Sequence, residues 1–315
     1  MNTKISHHIY GWLLVMPAVI LMGTFTHLPS VTTLISSFFS NETKKRPSIF
    51  IGAENYEYMF EDPVFVEAVM NNLWYSLGTI IPSIILAIIM ALFVNSKLPG
   101  KTLLRMAYFT PTILPMIAVS NLWLFFYTPD IGLLDQIGAL FGLESHNWLG
   151  DTNTVLACII VITIWKEAGF FMIFYLAALQ NISPDLKEAA ALEGSSKLYF
   201  FRRITFPLLM PITLFILINA TLNSFKLVDH LFILTKGGPN NASNLILYYI
   251  YEVAFSFFDF SYAATITIFL LVILAIISLA QFVFFDKRIH YRCCLLYTSD
   301  AADERSSVDL GGRRI

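Results

Sequence analysis

Long apolar stretches alternate with short polar ones along this chain. Six of the stretches run near 10–34, 72–94, 106–127, 155–179, 207–225 and 262–285. A bilayer core about 30 Å thick needs roughly 20 apolar residues in a helix, so each stretch is long enough to cross one. The pattern predicts an all-α integral membrane protein with about six transmembrane helices. Pro17, Pro82, Pro111, Pro115 and Pro211 fall inside the stretches and predict kinks. Neighbouring helices tolerate such kinks by satisfying the freed backbone groups. The first run continues, with breaks, to Phe39, has only Lys4 before it and shows no small-x-small cleavage pattern. It reads as a retained span rather than a removable signal peptide.

Composition agrees. Of 315 residues, 57% are hydrophobic and 13% are charged, against roughly 25% charged in soluble domains. One soluble core cannot hide that much apolar surface, whereas lipid-facing helices can. A formal net charge of −2 argues against a nucleic-acid partner, which favours a basic face. Cys158 lies inside an apolar run and reads as a small buried thiol. Cys293 and Cys294 are adjacent, which excludes ordinary metal spacing and a normal disulfide frame. His7 and His8 form an isolated pair, and no metal site is expected.

The basic residues orient the spans. With the N-terminus inside, the inner segments carry Lys4, Lys97, Lys101, Arg105, Lys187, Lys197, Arg202, Arg203, Lys287, Arg288 and Arg292. The outer segments carry only Lys44, Lys45, Arg46 and Lys236. The positive-inside rule therefore favours both termini in the cytoplasm. Segment 40–70 is acidic, with Glu54, Glu57, Glu61, Asp62 and Glu67, and is expected to hold short helices on the outer surface. Segment 128–151 has no Lys or Arg, and segment 228–261 has a turn at Gly237-Gly238-Pro239. No repeat of 20–50 residues is visible. Beyond Arg292 the chain is polar and lacks periodicity, so 293–315 is expected to be a non-native, disordered tail.

Segment 180–207 is the most informative. Ser183 is placed to cap a helix, with Pro184 at its first position and Asp185 in its first turn. Ala189, Ala190 and Ala191 give a smooth surface that another backbone can approach. Gly194 is free to adopt the left-handed conformation that ends a helix. Ser195 or Ser196 is then placed to cap a second short helix carrying Leu198, Tyr199, Phe200 and Phe201. Arg202 and Arg203 fall at the membrane surface, where anionic lipids attract them.

The spacing Glu188-Ala189-Ala190, three residues, Gly194, nine residues, Ile204, then Pro207 resembles the EAA motif of ABC-importer permeases. Phe206 stands where Leu is usual and Glu193 where Asp is common. Gly52-Ala53-Glu54-Asn55-Tyr56, Asp62-Pro63-Val64-Phe65, Leu176–Gln180 with Ile182-Ser183, and Thr235–Ser243 with Tyr251 and Phe255 also resemble carbohydrate-type permeases. They match the maltose-, glycerol-phosphate- and lactose-type first permease, over roughly 10–288.

That resemblance implies a type-1 importer permease fold, and with the tail read from composition the chain falls into three divisions. These are a first helix with its outer linker (1–65), a core permease unit (66–288) with its coupling segment (180–207), and the tail (293–315). It implies cytoplasmic ATPase subunits, a second permease in a heterodimer, and an extracytoplasmic solute-binding protein that delivers a sugar, polyol or sugar phosphate. The expected home is the bacterial plasma (inner) membrane. Glu188, Ala189, Ala190, Gly194, Ile204 and Pro207 would couple to the ATPase. This chain would not be an enzyme and would bind no cofactor, ATP and Mg²⁺ lying on the partner subunits. Gly100-Lys101-Thr102 is no phosphate-binding loop, because Asn95 replaces the first glycine and the segment joins two membrane helices.

Ionisable groups within spans usually face a bundle interior or cavity. Lys166 and Glu167 fall mid-span in the fourth stretch. Adjacent helical residues do not face each other, so each requires its own partner, as part of a solute path or a structural ion pair. Asn219, Asn223, Lys226 and His230 fall at i, i+4, i+7 and i+11, one helical face. Asp229 is spaced to pair with Lys226. The stripe suits either a hydroxyl-rich solute or polar packing against a partner permease. Trp123, Tyr127, Trp165 and Phe170 are candidates to stack on sugar faces, or simple interface anchors. Two other function classes compete. A membrane-embedded enzyme would need a catalytic constellation, and none is visible. An ion-coupled carrier using Lys166 and Glu167 would leave the EAA spacing unexplained.

Overall fold

The structure, a computed structural model, describes residues 3–42, 47–96 and 99–286, with side chains from residue 11 to 285. Lys44, Lys45, Arg46, Lys97, Lys287, Arg288, Arg292, the Cys293-Cys294 pair and the tail lie outside the described residues, as do the side chains of Lys4, His7 and His8. The described chain is helical apart from loops and one isolated bridge between Phe39 and Phe50.

The helices are, in order, α1 (Thr3–Met22), α2 (Leu28–Ser36), α3 (Glu54–Glu61), α4 (Pro63–Val94), α5 (Lys101–Ile113), α6 (Met116–Tyr127) and α7 (Leu133–Leu140). They continue with α8 (Val155–Gln180), α9 (Pro184–Leu192), α10 (Lys197–Phe200), α11 (Phe206–Lys226), α12 (Asp229–Leu234), α13 (Ile246–Phe255) and α14 (Phe260–Asp286). A π-helical turn, Gly23–His27, joins α1 to α2 without a break, and another, Phe201–Thr205, joins α10 to α11. Five helical runs among the described residues are long and apolar enough to span a membrane, or six if α5 and α6 form one bent span.

The third span kinks, as its prolines predict, but at one of the two, Pro115, and so sharply that the helix is interrupted. It is broken between Ile113 and Met116 with a bend of 101°. Leu114 (φ −70°, ψ 134°) and Pro115 (φ −57°, ψ 142°) are both extended. Proline lacks an N–H and drives its preceding residue out of the helical region. Pro17, Pro82, Pro111 and Pro211, by contrast, lie within continuous helices. The second span also differs from expectation. It begins at Pro63 rather than near residue 72, so among the described residues of the acidic segment only α3 is a separate short helix. Asp62 caps α4 by accepting from Val64 N at 3.0 Å. At 32 residues, α4 is about 48 Å long, well beyond the hydrocarbon core.

Helices α4, α8 and α11 form the centre. Ala87, Ala91, Ala168 and Ala220 are buried there among Met90, Phe171, Met172, Tyr175, Leu176 and Ile216. Lipid is as apolar as leucine, so small side chains that permit close van der Waals contact drive such packing. Gly169 shows the need most sharply, because a Cβ there would lie 2.1 Å from the Tyr108 carbonyl oxygen on α5. Hydroxyl bonds tie the helices crosswise: Tyr75–Thr163 at 2.8 Å, Ser76–Ser224 at 3.0 Å and Tyr175–Thr213 at 3.1 Å. Helices α1, α2 and α14 lie at the edge, with α2 packed on α14. Trp12, Leu14, Ile276 and Leu279 stand exposed on them, and Phe25 on the turn between α1 and α2, as a lipid-facing surface requires.

Candidate functional site

The α9–α10 elbow forms as its residue types dictate. Ser183 Oγ accepts from Asp185 N at 3.3 Å and donates to the Asp185 carboxylate at 3.0 Å. Pro184 opens α9. Gly194, at φ +70°, reverses the chain with open space around it. Its N–H bonds Ala191 O at 3.1 Å, and Ser195 N bonds Ala190 O at 2.9 Å, closing the last carbonyls of α9. Ser196, not Ser195, caps α10 by accepting from Tyr199 N at 3.2 Å. Glu188, Ala189 and Ala191 are exposed, but Ala190 turns inward and is buried, so the alanine run presents only two of its three methyls. Leu192 is 90% and Leu198 76% exposed. Ile204 lies within the π-helical turn and Pro207 in the first turn of α11, which link the elbow to the central bundle.

Lys166 and Glu167 do not share a partner. Lys166 Nζ donates to the carbonyl oxygens of Leu114, Thr112 and Pro111 at 2.6, 3.2 and 3.3 Å. Its partners are thus backbone carbonyls at the end of α5 and not the carboxylate of an ion pair. Glu167 Oε2 accepts from Asn223 Nδ2 at 3.0 Å and bridges α8 to α11. These two groups line a recess with Thr79, Ser83, Thr163 and Ser224, with room for about one water molecule. The sequence reading missed Thr79, Ser83, Thr163 and Ser224. Their signal is spacing: Thr79 and Ser83, like Thr163 and Glu167, are four apart in apolar helices and so share a face. Ser83 Oγ is buried without a hydrogen-bond partner.

The expected polar stripe is broken. α11 ends at Lys226 because Leu227 (ψ 98°) leaves the helical region. His230 therefore sits on a different helix, α12, fully buried and stacked on Tyr75 at 6.1 Å with neither ring nitrogen hydrogen-bonded. Asn219 donates back to Phe215 O at 2.8 Å on its own helix. Lys226 and Asp229 are both exposed, and among the described residues the one side-chain ion pair is His146–Asp151. Of the four stripe residues, only Asn223 reaches the recess.

Trp123 contacts Tyr127 at 5.4 Å and Trp165 at 5.8 Å, whereas Phe170 packs separately against Phe174 at 5.1 Å. The four expected stacking aromatics thus form two groups. Next to the first group lies a loop organised by Asp135. Its carboxylate accepts from Ser145 Oγ at 2.6 Å, Trp148 Nε1 at 2.8 Å and Asp130 N at 2.9 Å. The Ser145 bond, then the Asp130 and Trp148 bonds, lower its pKa to about 2.

Comparison with known proteins agrees with this architecture. The lactose transport system permease protein LacF of Rhizobium radiobacter is 32% identical over 287 residues, spanning 89% of this chain and 95% of that one. The sulfoquinovosyl glycerol transport system permease protein SmoG of Agrobacterium fabrum is 31% identical over 257 residues, spanning 81% and 83%. A chain in the crystal structure of a bacterial ABC transporter involved in the import of the acidic polysaccharide alginate shares the fold. Its TM-score is 0.81 over 90% of this chain and 97% of that chain, at 23% identity. Residues 83–291 match the family profile itself, and this multi-pass membrane chain belongs to the binding-protein-dependent transport system inner membrane component family.

Proposed function

We propose that this chain is the permease subunit of an ATP-driven importer, forming part of the path for a sugar or a related polyol or sugar phosphate. The observation that carries this reading is the uncovered α9–α10 elbow. Large apolar side chains at Leu192 and Leu198 stand almost fully exposed beside the alanine face of α9, a surface that calls for a protein partner. The partner proposed is an ATPase subunit. Glu188, Ala189 and Gly194 dock it, Ala190 packs behind them against the protein, and Ile204 and Pro207 carry its motion into α11. ATP and Mg²⁺ belong to that partner, and this chain supplies no catalytic residue. A second permease completes the path in a heterodimer, and a binding protein delivers the solute from outside. Both termini face the cytoplasm, in line with the basic residues near α5, α9 and α10.

The carbohydrate class follows the relatives, whose names give lactose and sulfoquinovosyl glycerol as cargo. Glu167, Asn223 and the hydroxyls around them supply the hydrogen bonds that a hydroxyl-rich solute exchanges for water. The test is co-purification with candidate ATPase and second-permease subunits, comparing wild type with Gly194→Asp. Retention by wild type and loss, or uncoupled ATP hydrolysis, in the variant supports the reading. Solute flux that follows an ion gradient without any associated ATPase overturns it.

A further inference from the structure

The break in the third span leaves carbonyls that no backbone amide closes. Helix C-termini carry unsatisfied C=O groups and favour a nearby cation. In hydrocarbon those groups have no water to turn to. The Lys166 ammonium has three donors, and it reaches three carbonyls: Leu114 at 2.6 Å, Thr112 at 3.2 Å and Pro111 at 3.3 Å. Two further ties lie alongside. Thr112 Oγ1 donates to the Lys166 carbonyl at 3.0 Å. Gly169 lets α8 approach the Tyr108 carbonyl more closely than any side chain would permit. Helix α5 is thus fastened to α8 over its last two turns. Helix α6, beyond the break, packs chiefly against α7 and α12, and meets the first half of α8 through the Tyr127 hydroxyl, which donates to Cys158 O at 3.1 Å, and the Trp123–Trp165 contact.

We propose that Lys166 is a positioning residue for transport. Its ammonium is a tethered cation that fixes the 101° bend and binds α5 to α8. The extended pair Leu114-Pro115 is the hinge. Helix α8 leads through residues 181–183 into α9, so α5, α8 and α9 move as one body while α6 stays with α7 and α12, and the Tyr127–Cys158 bond and the Trp123–Trp165 contact are the ties that slip as they part. Unwound carbonyls at broken spans hold a free Na⁺ in ion-coupled carriers. Here a side chain supplies the positive charge, so this break needs no ion from solution. The bend rests on the observed contacts alone, and the joint movement rests on the importer reading.

Spin labels test both halves in the full chain reconstituted in lipid nanodiscs, with Cys158, Cys293 and Cys294 replaced by serine. One pair spans the bend (Leu103 and Phe125) and one lies within the moving body (Leu103 and Ala177), all at exposed positions. Wild type and Lys166→Arg are expected to give narrow distances across the bend, and Lys166→Met a distribution about twofold broader. An unchanged width in Lys166→Met overturns the proposal. If Lys166→Met fails to insert, Thr112→Val carries the test, with broadening in favour and wild-type width against. With ATPases bound, trapping ATP should shift the Leu103–Phe125 distance by about 5 Å and leave Leu103–Ala177 unchanged. A shift within the second pair overturns the hinge. Failure of any ATPase to associate defeats the importer reading but leaves the nucleotide-free result standing.

Discussion

Asp62 and Tyr262, 200 positions apart, are joined by a 2.6 Å hydrogen bond. The Tyr249 hydroxyl donates to the same carboxylate oxygen. One acidic residue thereby ties the start of α4 to α13 and α14, with all three side chains at least nine-tenths buried. Asp62→Ala strands two buried phenols, each at a cost of about 1–3 kcal/mol. The expected outcome is a melting temperature lower by about 5–10 °C, read by thermal unfolding of the purified protein in detergent. An unchanged melting temperature would show that the phenols find water or other acceptors.

Glu167 depends on Asn223 for its hydrogen bond across the recess. Asn223→Leu preserves bulk and removes that donor. A buried acceptor left without its donor costs about 1–3 kcal/mol, so solute uptake is expected to fall about tenfold. Asn223→Gln should retain more activity than Asn223→Leu. Equal losses in the two variants would assign Asn223 a packing role only.

Gly194 tests geometry apart from contact. Its φ of +70° costs a residue with a Cβ roughly 1–2 kcal/mol, although space around it is open. Gly194→Asn, which tolerates the left-handed region, is expected to transport nearly as wild type. Gly194→Val should lose most coupled uptake while still inserting. Uptake assays on membranes with matched expression decide this, and full activity in Gly194→Val would sink the coupling role of the turn.

The loop held by Asp135 should respond to acid. Its folded pKa of about 2 lies below the usual value near 3.9. A lowered pKa means the loop's hydrogen bonds add stability above the unfolded value, and this is lost as pH falls through the folded one. Trp148 fluorescence is expected to stay constant from pH 7 to about 4 and to change between about 4 and 2. In Asp135→Asn the acid transition should disappear, because the loop is already loosened at neutral pH. A wild-type transition in that variant would place the titrating group elsewhere.

Much of this molecule is legible in the order of its residues. Runs of apolar residues mark four spans, and the end of the second, within a few positions, because hydropathy is a sum over composition. The elbow is legible because caps are local: Ser183, Pro184 and Gly194 each need only their neighbours. The break at Leu114-Pro115 is not legible in the same way. Four other prolines sit in continuous helices, and what distinguishes Pro115 is a lysine 52 residues from Leu114 that receives the freed carbonyls. The polar stripe fails for a related reason, since periodicity assumes a helix that runs on, and the chain leaves it at Leu227.

The sequence by itself determined that the chain lives in a membrane, roughly where it crosses, and where a short capped helix and a left-handed glycine make an elbow. These follow from transfer free energy and from bonds within a few residues. Only the tertiary structure decided which partners the intramembrane charges take, which of the predicted proline kinks becomes a break, and that His230 lies apart from Asn223. Those outcomes depend on which distant groups arrive within 3 Å of a buried polar atom, a distance that no local pattern encodes.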